Sequence, residues 1–113
     1  MDINKTKALK GIYCNSITQY ARFLTHEVNI GGVKMGGKQP IRIQSMTTAF
    51  TMDTEASIEQ SIRMIDAGCE YVRITAPSIK EAQNLLEIKK GLAARGYHTP
   101  LVADIHFTPM LQN

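Results

Sequence analysis

Tyr71-Val72-Arg73-Ile74-Thr75 is the central one of three short segments with the composition of β-strands. It is rich in β-branched and aromatic residues, as strands are, and Pro77 prevents it from continuing directly into a helix. Two similar runs, Pro40–Met46 and Pro100–His106, lie on either side of it. Their first apolar residues, Ile41, Tyr71 and Leu101, are spaced 30 residues apart. We therefore predict three strands in a regular repeat.

A helix is predicted between each pair of strands. The first begins at an Asp53 N-cap and ends before Gly68, and the second begins with a Ser78–Glu81 capping box and ends before Gly96. Apolar residues recur at helical spacing in both segments: Ile58, Ile62 and Ile65 in the first, and Leu85, Ile88 and Leu92 in the second. Because the connections are long enough for crossover helices, the strands should form a parallel sheet.

The rest of the chain divides at about residue 40. Residues 1–39 are predicted to be an N-terminal arm with a β-hairpin over Val28–Gly37 that turns at Gly31-Gly32, and residues 40–113 hold the βαβαβ segment. Residues 1–40 contain six Lys/Arg and two Asp/Glu, a balance of +4, whereas residues 41–113 contain seven and eight, a balance of −1. The basic excess therefore belongs to the arm.

Composition excludes several classes of protein. The chain has 113 residues, of which 43% are hydrophobic and 20% charged, which argues against disordered, collagen-like and disulfide-scaffold proteins. We expect no nucleic-acid partner, because there is no Lys/Arg cluster interleaved with aromatic residues, and no membrane partner, because no apolar run approaches the roughly 18 residues of a membrane span. Cys14 and Cys69 lie 55 positions apart and match no metal-ligand spacing, so free thiols in a reducing compartment are expected.

Candidate functional residues cluster where the predicted strands end. Parallel α/β folds bind ligands at the carboxyl ends of their strands. The polar residues at those ends are Gln44 and Ser45 on the first strand, Arg73 and Thr75 on the second, and Asp104 and His106 on the third. Residues 44–48 would add amide and hydroxyl donors, although a Thr-rich stretch is also typical of an ordinary turn.

Arg73 is the most informative of these residues. A guanidinium in the middle of an inner strand must find an anion or carbonyl groups, because an unpaired buried charge costs several kcal/mol. Its partner is either Asp104 on the next strand or a bound anion such as a phosphate. Asp104 and His106 have structural alternatives, as a turn cap and as an ordinary loop histidine. No nucleotide-binding glycine motif, nucleophile elbow or metal-ligand motif accompanies them, so the sequence predicts an anion-binding half-site.

Three stretches, residues 40–48, 66–75 and 100–107, closely resemble the N-terminal region of the 4-hydroxy-3-methylbut-2-enyl diphosphate synthase family, which acts in the methylerythritol phosphate route to isoprenoids. The Gln44-Ser45-Met46-Thr47 and Val102-Ala103-Asp104-Ile105-His106-Phe107 strings are the most specific, and the resemblance covers about residues 16–109. The sequence of residues Arg95–Pro100 is most similar to the long, three-domain form of the family that Bacteroidetes and plants have.

The resemblance implies an α/β fold in which this chain forms about three βα strands of a (β/α)8 TIM barrel. The barrel would bind 2-C-methyl-D-erythritol 2,4-cyclodiphosphate, with Arg73 on its diphosphate and Gln44, Ser45, Asp104 and His106 lining the same mouth. The family also has a 4Fe–4S cluster, held by three cysteines and one glutamate in a separate C-terminal domain, and ferredoxin or flavodoxin as electron donor. We accordingly expect a bacterial cytoplasmic oxidoreductase that acts as a homodimer.

Neither cysteine of this chain is expected to hold the cluster. Cys14 precedes the barrel, and Cys69 is at the amino end of the second strand, away from the mouth. The chain alone should therefore not turn over. Ala49-Phe50 also departs from the Thr-Asp type of pair usual in the family. Two other hypotheses remain open: a complete, non-catalytic βαβαβ binding module, and a phosphate-binding barrel of the dihydropteroate-synthase type.

Overall fold

The computed structural model describes residues 16–105, which form two small sheets and two helices. The elements in chain order are β1 (Val28–Ile30), β2 (Val33–Met35), β3 (Gln44–Met46), α1 (Thr54–Asp66), β4 (Tyr71–Thr75), α2 (Ile79–Ala94) and β5 (Leu101–Asp104). β1 and β2 pair antiparallel, whereas β3, β4 and β5 form a parallel sheet in that order. The predicted parallel βαβαβ segment and the preceding hairpin are confirmed.

The two faces of the parallel sheet have different surroundings. Val72 and Ile74 of β4 are fully buried and join Ile58 of α1 and Ile88 and Leu92 of α2 in the hydrophobic core. Side chains alternate along a strand, so the intervening Arg73 lies on the face that the helices do not cover. The register thus separates a core face from a polar face.

Both ends of α1 form as predicted. The Asp53 side chain accepts a hydrogen bond from the Ala56 N–H at 3.1 Å, which satisfies one of the free donors of the first turn. At the other end, Gly68 has a φ of 114° and its N–H donates to the Ile65 carbonyl, while the Cys69 N–H reaches back to Met64. This is a Schellman ending, and its left-handed residue favours glycine.

The predicted capping box at the start of α2 is wrong. Ser78 is the N-cap and its carbonyl accepts from the Ala82 N–H, but its side chain makes no capping hydrogen bond. Glu81 lies one turn before Leu85, on the stripe that faces the sheet. Oε2 of Glu81 is buried without a hydrogen-bond partner among residues 16–105.

β3 is shorter than the predicted run over residues 40–46. Ile43 still contacts the next βα unit, since its carbonyl accepts from the Glu70 and Tyr71 N–H groups. However, Ile41 and Ile43 are 77% and 55% exposed, because β3 has a strand neighbour only on its β4 side among residues 16–105. At the other edge, β5 ends at Asp104, so the predicted strand is too long at Ile105, and His106 lies outside the described residues.

The hairpin is fastened to the amino end of the parallel sheet. Its turn has φ values of 58° at Gly31 and 90° at Gly32, which is why two glycines occupy it. The Tyr71 hydroxyl donates to the Val33 carbonyl at 2.7 Å. Arg42 donates from Nε to the Lys34 carbonyl and from Nη1 to Glu70, each at 2.7 Å. The arm and the sheet are therefore one connected structure at this end.

Two side-chain hydrogen bonds join the end of α2 to α1. The Tyr97 hydroxyl donates to Asp66 at 3.0 Å, and this bond raises the pKa of Tyr97. Arg95 donates to Glu55 at 2.6 Å, which raises the pKa of its guanidinium. Neither helix of the described residues is long and apolar enough to cross a membrane.

Gly91 allows α1 and α2 to approach closely, because a Cβ there would overlap Cδ1 of Ile58. We expect Gly91→Ala to lower the free energy of unfolding by about 1–2 kcal/mol, since the steric cost of overpacking exceeds the gain in helix propensity. Urea unfolding of the 113-residue chain at one fixed protein concentration measures this change.

Ile58→Val provides the matched control, because it removes the Cδ1 atom that would be overlapped. In this background, Gly91→Ala should cost much less than it does alone, and the double-mutant cycle reports the difference. If Gly91→Ala stabilises the wild-type chain, helix packing does not require the glycine.

Candidate functional site

Arg73 is at the centre of the polar face of the parallel sheet. It pairs in register with Met46 of β3 on one side and Val102 of β5 on the other. Its Nη2 lies 2.9 Å from Oδ2 of Asp104, yet its side chain is 42% exposed. A guanidinium carries five N–H donors, and a contact through one nitrogen leaves others for a ligand. Of the two partners that the sequence allowed, Asp104 is present, and an anion can still bind.

Asp104 is the last residue of β5 and pairs with Thr75, the last residue of β4. Since Thr75 is two residues after Arg73, all three side chains belong to the same face and the same carboxyl end. The Asp104 side chain is 20% exposed and is therefore more enclosed than that of Arg73. The pair combines a fixed carboxylate with a solvent-accessible cation.

Gln44 and Ser45 occupy different faces of β3. Gln44 pairs with Tyr71 and therefore shares the face of Arg73, but it begins the strand, about one layer nearer the amino end. Ser45 pairs with Val72 and therefore points to the side of the sheet that carries the helices. His106 lies outside the described residues. The structure thus brings together Arg73 and Asp104, places Gln44 on their face and Ser45 on the other.

The loop after β3, residues 47–53, is held by side chains that sequence analysis did not select. Gln60 of α1 accepts hydrogen bonds from the N–H groups of Thr48 and Ala49. Further along the loop, the Thr51 hydroxyl donates to the Thr75 carbonyl at 2.8 Å. Asn84 of α2 donates to the Thr51 carbonyl at 2.7 Å. On a helical pattern Gln60 and Asn84 are ordinary polar positions, so no sequence signal distinguished them.

Phe50 stands at the same loop with its side chain 68% exposed. Its carbonyl accepts from the Asp53 N–H at 2.8 Å and from the Ser57 hydroxyl at 3.2 Å. The backbone is fixed by these bonds, so the unusual Ala49-Phe50 pair changes the surface of the loop without requiring a different backbone.

A metal centre has no support in residues 16–105, where no group of three or more His, Cys, Asp or Glu side chains is arranged to hold an ion. Cys69 is a free thiol in the turn between α1 and β4. This turn is at the amino end of the sheet, opposite the end where Thr75 and Asp104 lie. Cys14 is outside the described residues.

Comparison with protein-family models identifies the architecture to which these strands belong. Residues 25–113 match the model described as the GcpE TIM-barrel domain. The chain belongs to the GcpE family. The three parallel strands are consequently the N-terminal part of a GcpE TIM barrel, which confirms the predicted fold class.

Curated relatives agree with the GcpE assignment, and each is named 4-hydroxy-3-methylbut-2-en-1-yl diphosphate synthase (flavodoxin). The chain is 60% identical over 97 residues to the protein of Protochlamydia amoebophila, covering 86% of the chain and 15% of that relative. It is 60% identical over 90 residues to the Bacteroides thetaiotaomicron protein, covering 80% of the chain and 15% of that relative. It is 48% identical over 101 residues to the Akkermansia muciniphila protein, covering 89% of the chain and 17% of that relative. The chain thus spans about one-seventh of the length of these GcpE enzymes.

Proposed function

We propose that this chain forms the first part of the substrate-binding barrel of a 4-hydroxy-3-methylbut-2-en-1-yl diphosphate synthase. The substrate is 2-C-methyl-D-erythritol 2,4-cyclodiphosphate, bound at the carboxyl end of the parallel strands. The observation that carries the proposal is the half-exposed guanidinium of Arg73 on the polar face of a GcpE barrel sheet. Arginine is well suited to this role, because its planar fork matches the oxygens of a phosphate.

The polar residues have separate roles in this proposal. Arg73 binds the diphosphate, and Asp104 holds the guanidinium in place through the contact at 2.9 Å. Gln44 contributes from the same face, one layer lower, and His106 from the segment that follows β5. Ser45 is the weakest of the predicted contacts, since its register places it on the side of the helices.

From the family resemblance, we propose that the 4Fe–4S cluster, the source of electrons for the reductive ring opening, lies in a separate C-terminal domain. Residues 16–105 contain no group of three or more His, Cys, Asp or Glu side chains arranged to hold an ion. The names of the relatives support flavodoxin as the electron donor, with ferredoxin as the other candidate. We also propose that the synthase is a homodimer and that it acts in the cytoplasm.

A synthase hybrid tests this function. In the hybrid, the 113-residue chain replaces the matching N-terminal segment of the P. amoebophila relative, to which it is 60% identical. We expect anaerobically prepared hybrid to reduce the cyclodiphosphate with a kcat within about tenfold of that relative, a difference of about 1.4 kcal/mol in activation free energy. A hybrid that does not fold, or that is folded and contains the cluster but does not turn over, contradicts the proposal.

The second candidate function is that of a self-sufficient binding module. It is tested by whether the chain associates through the outer edge of β5. β5 has a strand neighbour on one side only among residues 16–105, and an apolar groove of about 430 Å³ lies beside it. The groove is lined by Ile30, Leu85, Leu86, Pro100, Leu101 and Ala103. In the proposed synthase, the next βα unit of the barrel covers this edge.

We expect the 113-residue chain on its own to self-associate through this groove, because an unpaired strand edge and adjoining apolar surface favour pairing with another copy. Leu86, which is 57% exposed, is the residue to change. Leu86→Lys should shift the chain toward monomer in analytical ultracentrifugation, whereas Leu24→Lys, at an exposed leucine outside the groove, should not. A wild-type chain that is monomeric at micromolar concentration favours the self-sufficient module.

A further inference from the structure

Gln60 of α1 makes three hydrogen bonds to two consecutive residues of the loop after β3. Its Oε1 accepts from the Thr48 N–H at 2.9 Å and from the Ala49 N–H at 2.8 Å. Its Nε2 donates to the Thr48 hydroxyl oxygen at 2.9 Å. The two backbone donors require the amide oxygen, so the orientation of the amide is determined, and its nitrogen must face Thr48 Oγ1.

This arrangement decides what the Thr48 hydroxyl can do. Because Nε2 is a donor, the hydroxyl oxygen accepts from it, and the hydroxyl hydrogen must be donated elsewhere. Within residues 16–105, no acceptor for that hydrogen is present, and Thr48 is exposed. Gln60 therefore occupies one lone pair of the Thr48 hydroxyl and leaves its hydrogen available for donation to another group.

The loop that carries Thr48 is hydrogen-bonded to β4 on both sides of this residue. The residue before it, Thr47, donates its N–H to the Arg73 carbonyl at 3.0 Å, which continues the β3–β4 ladder by one step beyond Met46. The far end of the loop is also fastened to β4, where the Thr51 hydroxyl donates to the Thr75 carbonyl. The loop is thus held against the part of β4 that carries Arg73.

We propose that Thr48 donates its hydroxyl hydrogen to a phosphate oxygen of the substrate and that Gln60 is the positioning residue that keeps this hydroxyl a donor. The inference rests on the proposed function; it narrows the donors expected over residues 44–48 to the Thr48 hydroxyl, and it adds Gln60, which the sequence did not single out. Diphosphate oxygens only accept hydrogen bonds, so a threonine whose hydroxyl hydrogen is kept available is matched to this ligand and to anions in general.

Thr48→Val tests the contact, because valine keeps the shape of threonine and removes the hydroxyl. In the synthase hybrid, we expect KM for the cyclodiphosphate to rise about tenfold with kcat nearly unchanged, as for the loss of one hydrogen bond to a charged group. Thr48→Ser restores a hydroxyl and should return KM to within about threefold of the wild-type value. A KM that stays within twofold in Thr48→Val overturns the inference.

Gln60→Glu tests the positioning role without releasing the loop. A carboxylate still accepts from the two backbone N–H groups, but it also accepts the Thr48 hydroxyl hydrogen and so withdraws it from the substrate. Amide hydrogen exchange at Thr48 and Ala49 should remain slow in Gln60→Glu and become fast in Gln60→Ala. KM should rise in Gln60→Glu by about as much as in Thr48→Val.

Combining the two substitutions separates this effect from simple charge repulsion. In the Thr48→Val background, Gln60→Glu should raise KM no further, because no hydroxyl remains to be reoriented. A further rise means that the new negative charge repels the substrate directly, and it overturns the positioning role. If Arg73→Ala raises KM while Thr48→Val does not, this inference alone fails. If neither substitution changes KM, the proposed function fails with it.

Discussion

Replacing Arg73 with alanine in the synthase hybrid is expected to raise KM for the cyclodiphosphate by about 10- to 100-fold. Hydrogen bonds to charged groups contribute about 1.5–3 kcal/mol, and each 1.4 kcal/mol is a factor of ten. The side chain is 42% exposed in the absence of ligand, so its removal creates no large cavity and should affect binding more than folding. Steady-state kinetics with saturating electron donor measures the change.

Arg73→Lys is the matched control, because it separates the effect of the positive charge from that of the planar guanidinium. Lysine retains the positive charge but has a single ammonium in place of the planar fork, so we expect a KM between those of the wild type and Arg73→Ala. Far-UV circular dichroism should be the same for all three proteins. If the Arg73→Ala hybrid has the wild-type KM, Arg73 does not bind the substrate.

Replacing Glu70 with alanine is expected to lower the free energy of unfolding of the 113-residue chain by about 2–3 kcal/mol. Glu70 Oε2 accepts from Arg42 at 2.7 Å, and Oε1 accepts from the Ile43 N–H at 3.2 Å. The side chains of Arg42 and Glu70 are only 17% and 31% exposed. Removing one partner of a largely buried ion pair leaves the other charge uncompensated, which costs up to about 3–5 kcal/mol when burial is complete.

Glu27→Ala is the matched control for this ion pair. Glu27 lies 3.9 Å from Lys34 in the same region, but both side chains are about half exposed. Such a surface pair contributes only about 0–1 kcal/mol, so the loss of stability should be small. Urea unfolding of the wild-type chain and the two variants, at one protein concentration, compares them. If the two substitutions have equal effects, Arg42 and Glu70 do not fasten the hairpin to the sheet.

The elements most fully predicted from the sequence are those fixed by local chemistry. β4 was predicted with its observed ends, because its β-branched run is bounded by a glycine turn and a proline. α1 was also predicted with its cap at Asp53, since a side-chain oxygen at the N-cap and a glycine at C′ act over a few residues. The 30-residue period then determined the parallel order, because it leaves room for a crossover helix between strands.

The features that sequence analysis missed depend on contacts between distant residues. Ser78 and Glu81 have the capping-box spacing, but Ser78 makes no side-chain capping bond and Oε2 of Glu81 is buried without a hydrogen-bond partner among residues 16–105. Ser45 belongs to a polar strand end, yet a strand end has two faces, and only the register with Val72 shows which one it occupies. Gln60 and Asn84 act on a loop that is 11 to 33 residues away in sequence, and no periodicity reveals such a contact.

The contact between Arg73 and Asp104 was predicted as one of two alternatives, and the binding of a substrate anion stays a prediction. The choice of Arg73 followed from the cost of burying an unpaired guanidinium, and the structure supplies the carboxylate that this argument required. The contact is made through Nη2, and a guanidinium has five N–H donors, which is the reason for expecting a second, anionic partner. The GcpE assignment makes a diphosphate the partner to test first.

A crystal structure of the synthase hybrid with bound cyclodiphosphate would show whether Arg73 holds the diphosphate. We predict that Arg73 nitrogens lie about 2.7–2.9 Å from diphosphate oxygens, the range of charge-assisted hydrogen bonds, with the Thr48 hydroxyl at the same group. A diphosphate bound elsewhere in the barrel, with Arg73 in contact only with Asp104, contradicts the account.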